Sequence, residues 1–159
     1  MKSQFRCKSV ILPGAIESDR AMALYGYLKD NVVWEEGVRS KKGFTRKAKP
    51  ASSEEYPDIN EIISAALKQI NNKYVYLNLG MYINYYEDGN MWCPNHTHPG
   101  THQMVISLGA TRDFVLGKKT IKVNNGDICF FGSAVHGVPK DEGVKEGRIS
   151  IAILLQPIA

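Results

Sequence analysis

The sequence predicts an α+β fold that is mainly β, in which strands of a jelly-roll type are buttressed by N-terminal helices. Helical apolar spacing is confined to residues 1–72. From residue 73 onward, short apolar segments alternate with turn-forming pairs such as Asp88-Gly89 and Asn125-Gly126. Many short strands with frequent turns are typical of a β-sandwich or barrel. With 159 residues and no internal repeat, we expect a single domain.

Two segments have the periodicity of amphipathic helices. The first covers residues 17–30, with Ser18 as the expected N-cap. Its apolar positions at i, i+3, i+4 and i+7 are Ala21, Leu24, Tyr25 and Leu28. The second follows Pro57, where Asp58 and Glu61 have the spacing of a capping box. Its apolar face is expected to contain Ile62, Ile63, Ala66, Leu67 and Ile70.

Between the predicted helices, residues 37–53 show no periodicity, and we interpret them as a long loop. This segment is basic, and no acidic residue interrupts its cations. Such a cluster can attract a polyanion, or it can simply be a solvated loop. The cations are Arg39, Lys41, Lys42, Arg46, Lys47 and Lys49.

The bulk composition limits the classes of protein. A hydrophobic content of 43%, a charged content of 23% and a net charge of +4 indicate a soluble globular chain. No apolar run is long enough for a transmembrane helix, and the basic N-terminus has too short an apolar run for a secretory signal. Three cysteines fit neither a disulfide framework nor a zinc module. We therefore expect an intracellular monomer, cytoplasmic or, in a eukaryote, nuclear, and not secreted.

Three histidines have a spacing that suggests a metal site. His96 and His98 stand at i and i+2, so on an extended strand they share a face about 6.6 Å apart while Thr97 points away. His136 follows beyond a glycine-containing turn. The three imidazoles can converge on one ion. By contrast, we expect His102 to lie outside the site, and we expect Asp127 to be a turn residue and not a metal ligand.

The last apolar segment, RISIAILL, predicts an anion anchor. Its odd-numbered positions, from Ile149 to Leu155, are wholly aliphatic and must face a core. Arg148 opens the other face, which also carries Ser150 and Leu154. A lone arginine there needs either an acidic partner from the chain or an anionic ligand held by two hydrogen bonds.

Taken together in chain order, these motifs resemble the AlkB-type branch of the iron(II)/2-oxoglutarate-dependent dioxygenases. The matching segments are residues 83–89 (INYYEDG), 96–98 (HTH), 105–109 (VISLG), 112–114 (RDF), 126–127 (GD), 136–139 (HGVP) and 148–150 (RIS). The resemblance implies a double-stranded β-helix over residues 73–159 that holds iron at its open end. It also implies that residues 1–72 form a helical buttress and a lid over the substrate.

The resemblance implies a chemistry as well. Such enzymes use Fe(II), O2 and the cosubstrate 2-oxoglutarate to hydroxylate a C–H bond, and an N-linked methyl group so oxidised leaves as formaldehyde. The implied substrate is an N-alkylated base in single-stranded DNA or RNA, or a base flipped from a duplex. The metal and oxygen supply the chemistry, and no protein acid or base is assigned.

The resemblance also assigns residues. His96 and His136 correspond to metal ligands, with His98 as the third. The cosubstrate would contact Asn84, Tyr86, Arg148 and Ser150. Phosphate contacts and a stacking surface for the nucleic acid would come from Trp34, Arg39, Lys41, Lys42, Arg46 and Lys47.

Two positions depart from the family pattern. The family has an aspartate where this chain has His98, and a second arginine where it has Leu154. The first change removes a negative charge and the second removes a positive charge, so together they leave the net charge of the pocket unaltered. We hypothesise that the two substitutions are coupled and that the site is a rebuilt three-histidine centre.

Two other functions remain open on the sequence. The segments around His96, His98 and Gln103 and around His136 come close to the two cupin motifs, so a cupin metal enzyme that does not use 2-oxoglutarate is one alternative. The other is a catalytically weak relative that binds damaged nucleic acid through the basic segment. Turnover of 2-oxoglutarate separates both from the dioxygenase.

Overall fold

The structure is a computed structural model that describes residues 5–40 and 43–159, with side chains except at 36–40, 43 and 44. Within these residues, eleven strands form two antiparallel sheets. The major sheet contains β1 (Val10–Leu12), β2 (Glu35–Ser40), β3 (Gly43–Ala51), β4 (Tyr76–Tyr86), β6 (His102–Gly109), β9 (Ile128–Phe131) and β11 (Arg148–Pro157). The minor sheet contains β5 (Cys93–His96), β7 (Arg112–Leu116), β8 (Lys119–Val123) and β10 (His136–Val138).

The strand order is that of a jelly roll, as predicted. The major sheet runs β1-β9-β6-β11-β4-β3-β2 and the minor sheet β5-β10-β7-β8. Neighbouring strands are often distant in sequence, so the chain crosses between the sheets several times. The strand β11 lies at the centre of the major sheet, where it pairs with β4 and β6 along most of its length.

Two α-helices lie where the periodicity predicted them, but both caps differ from the prediction. Helix α1 (Ser18–Asn31) is capped by Glu17, whose carboxylate accepts hydrogen bonds from the backbone of Asp19 and Arg20. Helix α2 (Pro57–Gln69) begins without a side-chain cap. The capping box lies instead in the short 3-10 helix Ser53–Glu55 that precedes α2, between Ser52 and Glu55. No helix in the described part of the chain is both long and apolar enough to cross a bilayer.

The prediction of a long loop over residues 37–53 is wrong. Strands β2 and β3 pair with each other there, and β3 pairs with β4. β1 also joins the major sheet, through β9, so residues 1–72 contribute strands as well as helices. The reason is that β3 sits near the sheet edge, where a long partner strand supplies the hydrogen bonds and lysines and a proline are tolerated on the exposed side.

The major sheet separates two apolar cores. One core lies between its outer face and the helices, where Ile59 and Ile63 of α2 and Leu28 of α1 meet the sheet. The aliphatic face of β11 belongs to this core, as predicted: Ile149, Ile151, Ile153 and Leu155. The other core lies between the sheets and includes Phe114, Phe131 and Val138. The second face of β11, with Arg148, therefore points between the sheets.

Candidate metal centre and cavity

Strand pairing brings the three histidines together. His96 at the end of β5 lies directly opposite His136 at the start of β10, and His98 follows just beyond β5. The ring of His96 lies 4.2 Å from that of His136 and 4.9 Å from that of His98, centroid to centroid. One nitrogen of each ring lies within 4.8 Å of the others. Thr97 points away, and its hydroxyl donates to the carbonyl of Ser133.

Backbone carbonyls orient two of the rings. The Nδ1 of His96 lies 2.7 Å from the carbonyl oxygen of Pro94, and the Nδ1 of His136 lies 3.0 Å from that of Ala134. Because a carbonyl only accepts hydrogen bonds, each Nδ1 carries the proton and donates it. The lone pair is then on Nε2 in both rings, which is the arrangement found in histidines that bind metals.

Burial keeps two of the imidazoles neutral at physiological pH. Burial lowers the pKa of His136 to about 4, although its hydrogen bond to Ala134 acts in the opposite direction. Burial and then the neighbouring His96 lower the pKa of His98. The pKa of His96 is raised, chiefly by its hydrogen bond with Cys93. Neutral imidazoles are the form that binds metal.

The donor set fits a divalent transition metal. Metal–nitrogen bonds of about 2.1 Å place two ligating nitrogens at most about 4.2 Å apart, so small ring rotations suffice to bring the three nitrogens onto one ion. Among the described residues, no carboxylate joins the cluster. Imidazoles alone suit iron, zinc, copper and nickel.

The histidines open into a cavity of about 510 Å³ between the two sheets. The inner faces of β3, β4, β6 and β11 form one wall, and strand register arranges it in rows. Arg148 and Tyr86 share one row, Ser150 and Asn84 share the next, and Leu154 lies farther along β11. The described wall has two guanidinium groups, Arg46 and Arg148, and no acidic side chain.

The guanidinium of Arg148 is buried with most of its donors unmet. The side chain is 1% exposed and donates from Nη2 to the hydroxyl of Ser107 at 3.0 Å. Nε and Nη1 have no hydrogen-bond partner. The described chain gives it no carboxylate at ion-pair distance, and burial lowers the pKa of the guanidinium. A buried cation with free donors indicates an anionic ligand.

A second buried guanidinium belongs to Arg112, which lies in one of the matching sequence segments but was not predicted as a site residue. Arg112 on β7 donates to three carbonyl groups, those of Asp88, Met91 and Pro139. Its guanidinium lies 5.5 Å from the ring centre of Tyr86, and that of Arg148 lies 5.4 Å away. The sequence signal for it is the period-two spacing of Arg112, Phe114 and Leu116, which the structure places on one buried face of β7.

The residues expected to contact a cosubstrate all line the cavity. Asn84, Tyr86 and Ser150 are buried in the same wall as Arg148. The side-chain oxygen of Asn84 accepts a hydrogen bond of 3.0 Å from Nε of Arg46. Arg46 therefore lines the cavity too, whereas Lys47 and Lys49, the other cations of the basic segment whose side chains are described, are not among the lining residues.

The other residues expected at the substrate are placed elsewhere or lie outside the described side chains. Lys47 forms an ion pair of 2.7 Å with Glu87. Trp34 packs at 5.2 Å against Tyr85, on the helix side of the major sheet. The side chain of Arg39 is not among those described, and the same holds for the whole of Lys41 and Lys42.

The two exclusions made from the sequence are confirmed by the contacts. His102 is buried away from the three histidines, with Nδ1 2.7 Å from the hydroxyl of Tyr76 and Nε2 2.9 Å from the carbonyl oxygen of Phe5. Asp127 closes a turn by accepting hydrogen bonds from the backbone of Gly14 and Asn124.

Comparisons with known proteins connect this fold to solved structures. No protein-family model matches the chain, and no curated protein matches its sequence. OsALKBH1 superposes with a TM-score of 0.73 at 13% identity, over 95% of this chain and 99% of that one. The viral collagen prolyl hydroxylase of Paramecium bursaria Chlorella virus-1, in complex with 2OG, gives 0.68 at 15%, over 92% and 94%. HygX from Streptomyces hygroscopicus, with nickel and 2-oxoglutarate bound, gives 0.71 at 9%, over 95% and 83%. The chain shares the jelly-roll fold of these proteins.

Proposed function

We propose that this chain is an Fe(II)/2-oxoglutarate-dependent dioxygenase that hydroxylates a C–H bond. The observation that carries the proposal is the buried guanidinium of Arg148, which has unmet donors in the same cavity as three converging imidazoles. A diacid that also binds a metal suits both features at once. The fold supports the proposal, because two of the similar structures, the viral prolyl hydroxylase and HygX, hold 2-oxoglutarate.

In this proposal each residue has a defined task. Nε2 of His96 and of His136, with a ring nitrogen of His98, holds Fe(II). Nε and Nη1 of Arg148 donate hydrogen bonds to the distal carboxylate of 2-oxoglutarate. Three further side chains supply additional polar contacts to the cosubstrate: Ser150, Asn84 and Tyr86. When bound, iron with O2 and 2-oxoglutarate supplies the oxidising power for a C–H bond. The inter-sheet core next to the cavity limits the access of water.

The coupled exchange of His98 and Leu154 is part of the proposal. Three neutral imidazoles supply no negative charge to the ion, and the aliphatic Leu154 stands where a second guanidinium would add a positive charge. We expect His98→Asp alone to leave the new carboxylate without its counter-charge, and His98→Asp with Leu154→Arg to restore Fe(II) affinity. Metal titration of the single and double variants tests this, and additive effects of the two changes would contradict the coupling.

For the substrate we propose an N-alkylated base of DNA or RNA. Its N-linked methyl group is hydroxylated and then leaves as formaldehyde, which restores the unmodified base. The motif resemblance to AlkB-type enzymes, the likeness to OsALKBH1 and the position of Arg46 at the cavity support this choice. A base must leave its stack to enter a buried cavity, so single strands or flipped bases are the natural substrates. Binding to the strand should weaken as salt rises, because phosphate contacts release counterions.

The decisive experiment is anaerobic reconstitution with Fe(II), followed by addition of O2, 2-oxoglutarate and a panel of methylated single-stranded oligonucleotides. We expect succinate from 2-oxoglutarate and formaldehyde from the oligonucleotide, and neither from the His136→Gln variant. Turnover without 2-oxoglutarate would favour a cupin enzyme. Oligonucleotide binding without succinate would favour a binding protein.

Arg46 and Lys47 offer a matched pair for the role of the basic strand. They are neighbours on β3, but Arg46 lines the cavity and Lys47 pairs with Glu87. Each loses one positive charge on substitution by glutamine. We expect Arg46→Gln to weaken oligonucleotide binding more than Lys47→Gln, and equal losses would contradict a specific role for Arg46.

A further inference from the structure

Gln103 is a buried side chain whose amide is not satisfied by the protein. It is 1% exposed, it lines the cavity, and its Nε2 has no hydrogen-bond partner. Leaving a buried donor unmet is destabilising, so an unsatisfied group of this kind in a folded protein requires an explanation, and a bound partner is one. The side chain belongs to the inner face of β6, which also carries Val105 and Ser107.

Gln103 lies too far from the anion anchor to be satisfied by the same ligand. It pairs with Leu154 across the ladder, whereas Arg148 pairs with Gly109 at the other end of β6. The guanidinium leans toward Ser107, which is still four residues from Gln103, or about 13 Å along the strand. The terminal carbons of a five-carbon diacid are about 5 Å apart by bond lengths. A diacid on Arg148 therefore leaves Gln103 for a second ligand.

The walls around Gln103 indicate the kind of group that fits there. Its neighbours on the sheet face are Val105, Ala152, Leu154 and Tyr82. Tyr82 is 46% exposed, so this end of the cavity meets solvent. The guanidiniums of the cavity donate hydrogen bonds in other rows of the wall, Arg148 to Ser107 and Arg46 to Asn84. An ionic group entering here would lose its hydration without gaining a counter-charge, whereas a neutral acceptor would gain the amide.

We propose that Gln103 is the specificity-determining residue of a substrate subsite, which takes an uncharged planar group bearing a carbonyl oxygen. The amide Nε2 donates to that oxygen, and the apolar side chains pack on the faces of the group. This inference rests on the proposed function for the identity of the cavity as a substrate site. Among N-methylated bases, it selects a neutral base with carbonyl groups, such as 3-methylthymine, over the cationic 1-methyladenine.

The test measures binding, so it does not depend on turnover. Short single-stranded oligonucleotides carrying one central 3-methylthymine or 1-methyladenine are titrated with the metal-free protein, and fluorescence anisotropy gives the dissociation constants. We expect the 3-methylthymine strand to bind about tenfold more tightly, which corresponds to one hydrogen bond of about 1.4 kcal/mol. Equal binding, or tighter binding of the 1-methyladenine strand, overturns the proposal.

Two substitutions separate the hydrogen bond from general packing. Gln103→Leu removes the donor and should abolish the preference, while Gln103→Glu replaces the amide with a carboxylate and should reverse it in favour of the cationic base. Gln69→Glu, at an exposed position of α2, makes the same change in charge away from the cavity and should preserve the wild-type preference. An unchanged preference in folded Gln103→Glu protein overturns the proposal, and thermal unfolding establishes that the variants fold.

The subsite and the oxygenase fail in distinguishable ways. If the preference follows Gln103 but no succinate forms with iron, the subsite stands and the oxidation proposal falls. If succinate forms but the preference ignores Gln103, the oxygenase stands and the subsite falls.

Discussion

Two buried guanidiniums face the ring of Tyr86, and they differ in what satisfies them. Arg112 donates to three backbone carbonyls and holds the segments that follow β4 and β10 against β7. Arg148 reaches a single hydroxyl, that of Ser107. The fold therefore accounts for the burial of the first arginine, whereas the unmet donors of the second are assigned to the proposed ligand.

This contrast predicts opposite effects of the same substitution. Arg112→Met leaves three carbonyls without a donor and should lower the free energy of unfolding by about 2 to 4 kcal/mol. Arg148→Met removes a buried cation that has no counter-charge, so the free energy of unfolding should stay the same or rise by about 1 to 2 kcal/mol. Urea denaturation measures both.

The same Arg148→Met protein should lose affinity for 2-oxoglutarate by a factor of about 100 or more, because two charge-assisted hydrogen bonds disappear. Calorimetric titration in the presence of Ni(II) measures this loss. A stable Arg148→Met protein that still binds the diacid normally would show that the guanidinium is not its anchor.

The buried His136 makes stability depend on pH. Its pKa is about 4 in the folded protein and about 6.5 in an unfolded chain. Between these values the unfolded chain takes up a proton that the folded protein does not, so the free energy of unfolding falls as pH falls. The loss should approach about 3 kcal/mol by pH 4 and then level off.

Metal-free protein in chelator should therefore unfold at progressively lower urea concentration from pH 7 to pH 4. The His136→Gln variant serves as the reference, because the difference between the two proteins isolates this group from the other titrating residues. A difference that stays constant across the range would mean that His136 has the same pKa in the folded protein as in the unfolded chain.

At the scale of elements, alternation and turn residues predict what local sequence controls. The β-region from residue 73, both helices and the two faces of β11 follow from spacing alone. Strands β2 and β3 do not, because β3 joins the sheet by pairing with β4, which lies farther along the chain, and β2 in turn pairs with β3. Convergence of the histidines was predictable only in part: spacing placed His96 near His98, but the approach of His136 depends on the pairing of β5 with β10.

The turn between β8 and β9 shows how an element is positioned by close approach. Gly126 has φ of 91°, and a Cβ there would lie 2.3 Å from the carbonyl oxygen of Ile16. The backbone N–H of Ile16 donates to the carbonyl of Gly126 at 3.0 Å. This contact fixes the segment that leads into α1 against the sheet.

Gly126→Ala should therefore destabilise the protein by about 3 kcal/mol or more, since backbone strain and a steric clash act together. Gly117 is the matched control, because its φ is 65° but an added Cβ meets no atom within 4 Å. Gly117→Ala should cost only the strain of the left-handed conformation, about 1 kcal/mol. Similar losses in thermal unfolding for both variants would contradict a role for close packing at Gly126.

At the scale of the whole molecule, the candidate ligand groups are divided between the sheets. His96 and His136 are on strands of the minor sheet, and His98 lies two residues beyond the end of β5. Arg148, by contrast, belongs to the major sheet. A metal alone would cross-link loops and strands on one side of the cavity. A metal with a diacid would connect the two sheets across it.

This division predicts synergy between the two ligands. Ni(II) alone should raise the unfolding temperature, 2-oxoglutarate alone should have little effect, and the two together should raise it by more than the sum, because each ligand stabilises the folded state that the other binds. Arg148→Met should keep the response to Ni(II) and lose the synergy, whereas His136→Gln should weaken both. Differential scanning calorimetry measures the unfolding temperature of each protein without ligand, with Ni(II) alone, with 2-oxoglutarate alone and with both. Additive shifts in the wild-type protein would mean that the histidines and Arg148 do not hold parts of one ligand assembly.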